Sequence, residues 1–333
     1  MTRLTRITFA AMLALAATAA PLFAQQRPSP FWVTEWPRTD FSQSSVGFQE
    51  IISGGPPKDG IPAIDAPVFA AVSALETPPE PQEPVLSVEI GGVARAYPLS
   101  VMIWHEIVND TVAGTPIAVT YCPLCNSGIV FERVVGGEVT TFGTTGKLRN
   151  SDLVMYDRAS ESWWQQFDGA AIVGGRTGEV LTRVPSLLES YAEFAARNPQ
   201  GEVLVPPSQR SRSYGRNPYV GYDTSARPFL YSGDYDGPGG PLMRVVAVEG
   251  RNEAWSFDYI REKGELRVDD LLITWRAGQA SALDTARIAD GEDVGTVTVE
   301  RIGPDGARQP ALYHVPFAFA FAAFQPGARI WHP

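Results

Sequence analysis

Val85-Leu86-Ser87-Val88-Glu89-Ile90-Gly91-Gly92-Val93-Ala94-Arg95-Ala96-Tyr97 is two runs rich in β-branched residues joined by Gly-Gly. That pattern reads as a β-hairpin, because a glycine pair supplies the backbone freedom that a tight turn between strands needs. Similar runs follow at 117–121, 128–135, 139–142, 153–157 and 162–167, separated by Gly-Gly, Asn-Asp or Ala-Ser-Glu turns. The expected fold is therefore mainly β, of the α+β kind, with a strand-rich body and a few helices. Helices are expected at 98–108, with Pro98 in its first turn and Asn109-Asp110 at its end, and at 187–197, where Ser186 and Glu189 are spaced as a capping box. A third is expected at 315–324 between Pro316 and Pro326-Gly327, where the spacing of Phe317, Phe319, Phe321 and Phe324 also suits a strand.

Laying Val93-Ala94-Arg95-Ala96-Tyr97 over Arg251-Asn252-Glu253-Ala254-Trp255 brings the flanks into parallel. Each copy reads strand, Gly turn, strand ending in Ala-aromatic, acidic pair and further strand, which predicts two pseudo-repeated units, 85–183 and 242–333. A helix and a long irregular loop across 184–241 join them, and loops of that length are usually functional. The last strand aligns Cys122 with Arg276 and Cys125 with Gln279. A structural requirement common to both units therefore cannot depend on the thiols.

Ahead of the body, residues 1–24 carry Arg3 and Arg6, an apolar run from Ile7 to Ala20 and small residues before Gln25, the layout of a cleavable signal peptide. The expected protein is exported, periplasmic or secreted, with no membrane span left after cleavage. Loss of Arg3 and Arg6 moves the formal charge from −10 to −12, which argues against nucleic-acid binding. Residues 25–84 form a Pro/Gly-rich arm, with one short helix expected around 66–73. Phe31, Trp32, Trp36 and Phe41 are too many aromatics for a free tail, so the arm is expected to pack on the body, which spans 85–333.

The only two cysteines stand in Tyr121-Cys122-Pro123-Leu124-Cys125-Asn126-Ser127, on a turn between strands. Two thiols so spaced can grip a metal, cycle between thiol and disulfide, or form a plain disulfide. A disulfide closing so short a loop would add only about 2 kcal/mol. A thioredoxin-like pair sits at a helix N-terminus, whereas here a strand follows, so a metal knuckle leads. Of three histidines, His105 lies shortly upstream of the pair and is the expected third ligand, whereas His314 and His332 are weaker candidates. Copper or zinc suits two sulfurs and an imidazole. Asp152 is a further candidate for catalysis, and Asn126, Ser127, Asn150, Ser151, Tyr156, Trp164 and Gln165 are candidates for a lining pocket. Gly143-Thr144-Thr145-Gly146-Lys147 is not a phosphate loop, since Leu148 replaces the magnesium-binding hydroxyl and the glycines are too close. Asp234-Tyr235-Asp236-Gly237 lacks the remaining ligands of a calcium loop.

The blocks His105-Glu106-Ile107-Val108-Asn109-Asp110, 121–131 and 150–165, with Tyr214-Gly215-Arg216-Asn217-Pro218-Tyr219 and the 317–324 aromatics in support, resemble a bacterial family known only as a domain of unknown function, DUF3179. Members often carry a histidine where this chain has Gln325. The resemblance implies an exported or envelope-associated protein with the cysteine pair and His105 as its signature, and it supplies no reaction. Two functions are expected from different classes. One is a periplasmic copper- or zinc-binding or thiol-redox protein using Cys122, Cys125 and His105. The other is a non-catalytic module for a small molecule or an envelope protein, in which a disulfide shapes a loop beside Asp152, Tyr156 and Trp164.

Overall fold

The hairpin at 85–97 is formed by strands Pro84–Ile90 and Val93–Pro98, with Gly91 and Gly92 both at positive φ in its turn. The computed structural model describes residues 27–207 and 212–333, so the expected signal peptide lies outside the described residues. The hairpin is the centre of a sheet flanked by Leu187–Ser190, antiparallel to its first strand, and by Glu202–Leu204, parallel to its second. In the second unit, Val245–Val248 and Glu253–Ser256 form the equivalent hairpin. Its flanks are Tyr313–His314, antiparallel, and Arg329–Trp331, parallel. A seven-residue helix joins the flanking strands in both units, Tyr191–Arg197 in one and Ala318–Phe324 in the other. Tyr97 and Trp255, which align in the sequence, are both buried one residue before the end of their strands.

Each hairpin is followed by a short helix and a three-stranded antiparallel run. In the first unit these are Leu99–Met102, then Ile107–Val112, Thr115–Cys122 and Ser127–Glu132. The second has Phe257–Lys263, then Glu265–Val268, Leu271–Arg276 and Thr296–Ile302. The first unit adds a further sheet built on Phe142–Arg149, Asp152–Asp157, Trp163–Gln165 and Ala171–Val173. The result is a strand-rich molecule in which five small sheets are arranged like the blades of a propeller. One apolar core runs through both units, from Leu86, Val119 and Phe131 to Trp255, Ile273 and Phe317. No described helix is long and apolar enough to cross a membrane.

Several expected helices are shorter than their sequence pattern. The one at 98–108 is only Leu99–Met102, because Pro98 still pairs with Val85 and Ile107–Val112 pairs with Thr115–Cys122. The one at 187–197 begins at Tyr191, because Leu187–Ser190 fills the edge of the first hairpin's sheet. Its cap is Ser190, whose hydroxyl accepts from the Glu193 amide, and Ser186 lies outside. At 66–73 the structure has strand Phe69–Ala71 and a 3-10 turn, Val72–Ala74, and the third helix starts at Ala318. In each case strand pairing or turn geometry outweighs a weak local helix preference.

Trp32, Trp36 and Phe41 of the N-terminal arm pack on the body as expected, whereas Phe31 is exposed. Trp36 is fully buried and meets Tyr156 and Trp163 edge-to-face at 4.8 and 5.4 Å. The Lys147 ammonium lies 5.0 Å from the Trp36 ring and 2.9 Å from the Glu35 carboxylate, which fixes the short helix Pro30–Glu35 to the body. Trp36→Ala should destabilise the fold by about 3–5 kcal/mol in urea unfolding and expose the arm to proteolysis; an unchanged midpoint would mean that the arm is not part of the cooperative unit.

Candidate functional site

Two hairpin tips meet at the cysteines. Cys122 ends its strand, Pro123–Cys125 makes one 3-10 turn, and Asn126 at φ 51° returns the chain to Ser127, the register partner of Cys122. Facing it is the tip of the next hairpin, where Arg149 pairs with Asp152 across Asn150 and Ser151, at φ 52° and 64°. Two consecutive positive-φ residues are what a tight hairpin turn demands, and asparagine tolerates them better than most. The Cys122 thiol approaches the Ser151 carbonyl at 3.7 Å and the Cys125 thiol the Asn150 carbonyl at 4.0 Å. The two thiols form no disulfide, and both are buried.

Asp152, the first residue after this turn, is fully buried. Its Oδ1 accepts from Gln165 Nε2 at 2.7 Å and from the Phe167 amide at 2.9 Å. Oδ2 has no hydrogen-bond donor among the described residues. One donor atom from each of Cys122, Cys125 and Asp152 lies within 4.8 Å of the others. Glu106, at φ 59° in the turn before Ile107–Val112, adds a second buried carboxyl. Burial pushes the Asp152 carboxyl up to about 7, and burial together with the Asp152 charge pushes Glu106 up to about 8. Burial likewise raises both thiols.

The second unit and the long loop hold the cysteine turn in place. The Phe317 amide donates to the Cys125 carbonyl at 2.9 Å, the Tyr222 hydroxyl to the Leu124 carbonyl at 2.8 Å, and Asn126 Nδ2 to the Val315 carbonyl at 2.8 Å. The Ser151 hydroxyl donates to the Phe229 carbonyl at 2.6 Å, so the long loop ties down both tips. At the aligned positions of the second unit, Arg276 is exposed and paired with Glu193, and Gln279 accepts from the Thr296 hydroxyl.

Residues 58–328 match the model of a family described as a protein of unknown function (DUF3179). The chain belongs to the DUF3179 family. Comparison with curated proteins and with solved structures found no match.

The structure of this DUF3179 member brings together only part of the expected site. Asn126, Ser127, Asn150, Ser151 and Gln165 surround the cysteines and Asp152 through the turns and hydrogen bonds above. His105 is not gathered with them. It follows the shortened helix, and its ring nitrogens contact the Pro62 carbonyl and the Tyr214 hydroxyl, each at 2.8 Å. Tyr156 bonds Asp59 in the arm cluster, and Trp164 donates to Asp157 against Phe142. Glu106 was missed because a helix over 98–108 would have placed it on a helical face instead of in a left-handed turn.

Both buried carboxyls hold protons that an unfolded chain releases near their ordinary values of 4.5 and 3.8. Between about pH 4 and pH 8 the folded state therefore binds more protons, and stability falls as pH rises through that window. In chelator and reductant, the urea midpoint should drop from pH 5 to pH 8, and Asp152→Asn should flatten that slope. An equally steep slope in the variant would assign the titration elsewhere.

Proposed function

We propose that this chain is an exported metal-binding protein, with Cys122, Cys125 and Asp152 as ligands and zinc as the metal. The observation that carries the reading is the convergence of two thiols on a buried carboxylate whose Oδ2 has no donor among the described residues. A divalent cation compensates buried thiolates and a carboxylate that nothing else nearby neutralises. A carboxylate in place of the expected imidazole moves the preference from copper(I), which favours all-sulfur sites, to zinc, which accepts mixed sulfur and oxygen ligands. Glu106 is buried and close enough for its charge to act on Cys122, which makes it a candidate base for metal-bound water. Export rests on the layout of residues 1–24 alone.

Thiol-redox use is less well supported. A redox nucleophile needs a thiolate, favoured by a cation or a helix N-terminus. Here burial and neighbouring carboxylates favour the thiol, and a strand follows the turn. Metal binding instead displaces those protons directly.

The reduced mature protein should bind about one equivalent of zinc, and cobalt in its place should show thiolate charge-transfer absorption. Cys122→Ser with Cys125→Ser should abolish binding, and Asp152→Asn should weaken it by roughly tenfold or more. His105→Ala should retain it. Absence of metal from fully reduced protein would overturn the reading, and loss in His105→Ala with retention in Asp152→Asn would return the imidazole to the ligand set.

A further inference from the structure

A polar cavity of about 210 Å³ lies behind the cysteine turn and between the two units. Its floor is His314, buried, with Nδ1 fixed at 3.2 Å by the hydroxyl of Ser127. Phe167 meets the imidazole edge-to-face at 4.7 Å and stacks on Phe324 at 4.4 Å, giving the cavity an apolar wall. Arg183 and Gln325 supply the polar wall. Arg183 is half-buried and donates Nη2 to the Phe167 carbonyl at 2.6 Å. No carboxylate lies within ion-pair distance of it among the described residues, and the charges of Glu249 and Asp168 reach it only across the cavity. Neither the Gln325 amide nor His314 Nε2 has a protein partner among the described residues.

A guanidinium without a direct carboxylate partner, an amide and an imidazole nitrogen lining one cavity beside stacked rings are the elements of a carboxylate site. Asp168 and Glu249 line the same cavity from exposed positions and would repel a dianion such as sulfate or phosphate. Arg149, 5.6 Å from the Phe324 ring, is paired with Glu50 at 2.9 Å, so Arg183 is the cation that lines the cavity. The volume corresponds to about seven waters. We propose that this cavity binds a small monocarboxylate, its head group on Arg183, Gln325 and His314 and its carbon part against Phe167 and Phe324. The site is independent of the metal reading, since it shares no ligand with the cysteine centre.

The test is calorimetric titration of the mature protein with acetate, propionate, butyrate, glycine, phosphate and sulfate at constant ionic strength. Saturable binding of propionate or butyrate is expected. It should weaken by roughly tenfold or more in Arg183→Gln, the loss of a charged hydrogen bond. Gln325→Glu, at the end of the Ala318–Phe324 helix, should abolish binding with an unchanged thermal midpoint, which separates loss of the site from loss of the fold. No saturable binding of any monocarboxylate overturns the proposal. So do binding that survives both variants, and tighter binding of glycine, phosphate or sulfate than of propionate.

Discussion

Three acidic groups converge in one desolvated space in this fold, the thiols of Cys122 and Cys125 and the carboxyl of Asp152, and the buried Glu106 carboxyl is near enough to feel the Asp152 charge. An ionised group in such a place is costly unless paired, so each holds its proton more tightly than in water. Much of the surrounding backbone maintains that arrangement. Glu106, Asn126, Asn150 and Ser151 all take left-handed conformations, at a cost that a framework held at many points can absorb. The framework is the pair of hairpin tips, tethered by Tyr222, Phe229, Val315 and Phe317.

The strands were legible because they are rich in β-branched residues and end in glycine, asparagine or aspartate turns, features that survive tertiary context. Hairpin 84–98 and its copy at 245–256 are the clearest examples. The helices were less legible. Leu187-Leu188-Glu189-Ser190 has helical spacing and a plausible cap, yet an open sheet edge was available and strand pairing won. The same limit hid the site. Closeness in sequence to Cys122 points to His105, but nothing local reports that the chain turns left-handed at Glu106 and that the His105 ring meets Pro62 and Tyr214. Asp152 could be named from sequence as a polar residue of a strand, but its place beside the thiols depends on two tips some thirty residues apart meeting in space.

The two units show how a duplicated scaffold can divide its work. Both carry the same hairpin, flanking strands and crossing helix. Only the first has thiols at the tip and the additional sheet that supplies Asp152. The second contributes backbone donors and acceptors instead, so that one copy carries the thiols and the other braces their turn.

That bracing has a consequence for biosynthesis. The amide closing onto the Cys125 carbonyl belongs to Phe317, 192 residues later and close to the end of the chain. A chain made from its N-terminus exposes its thiols long before the segment that encloses them arrives. Enclosure of the cysteine centre is thus a late event in the life of the polypeptide, and whatever reacts with the thiols first has the interval before residue 317 emerges in which to do so.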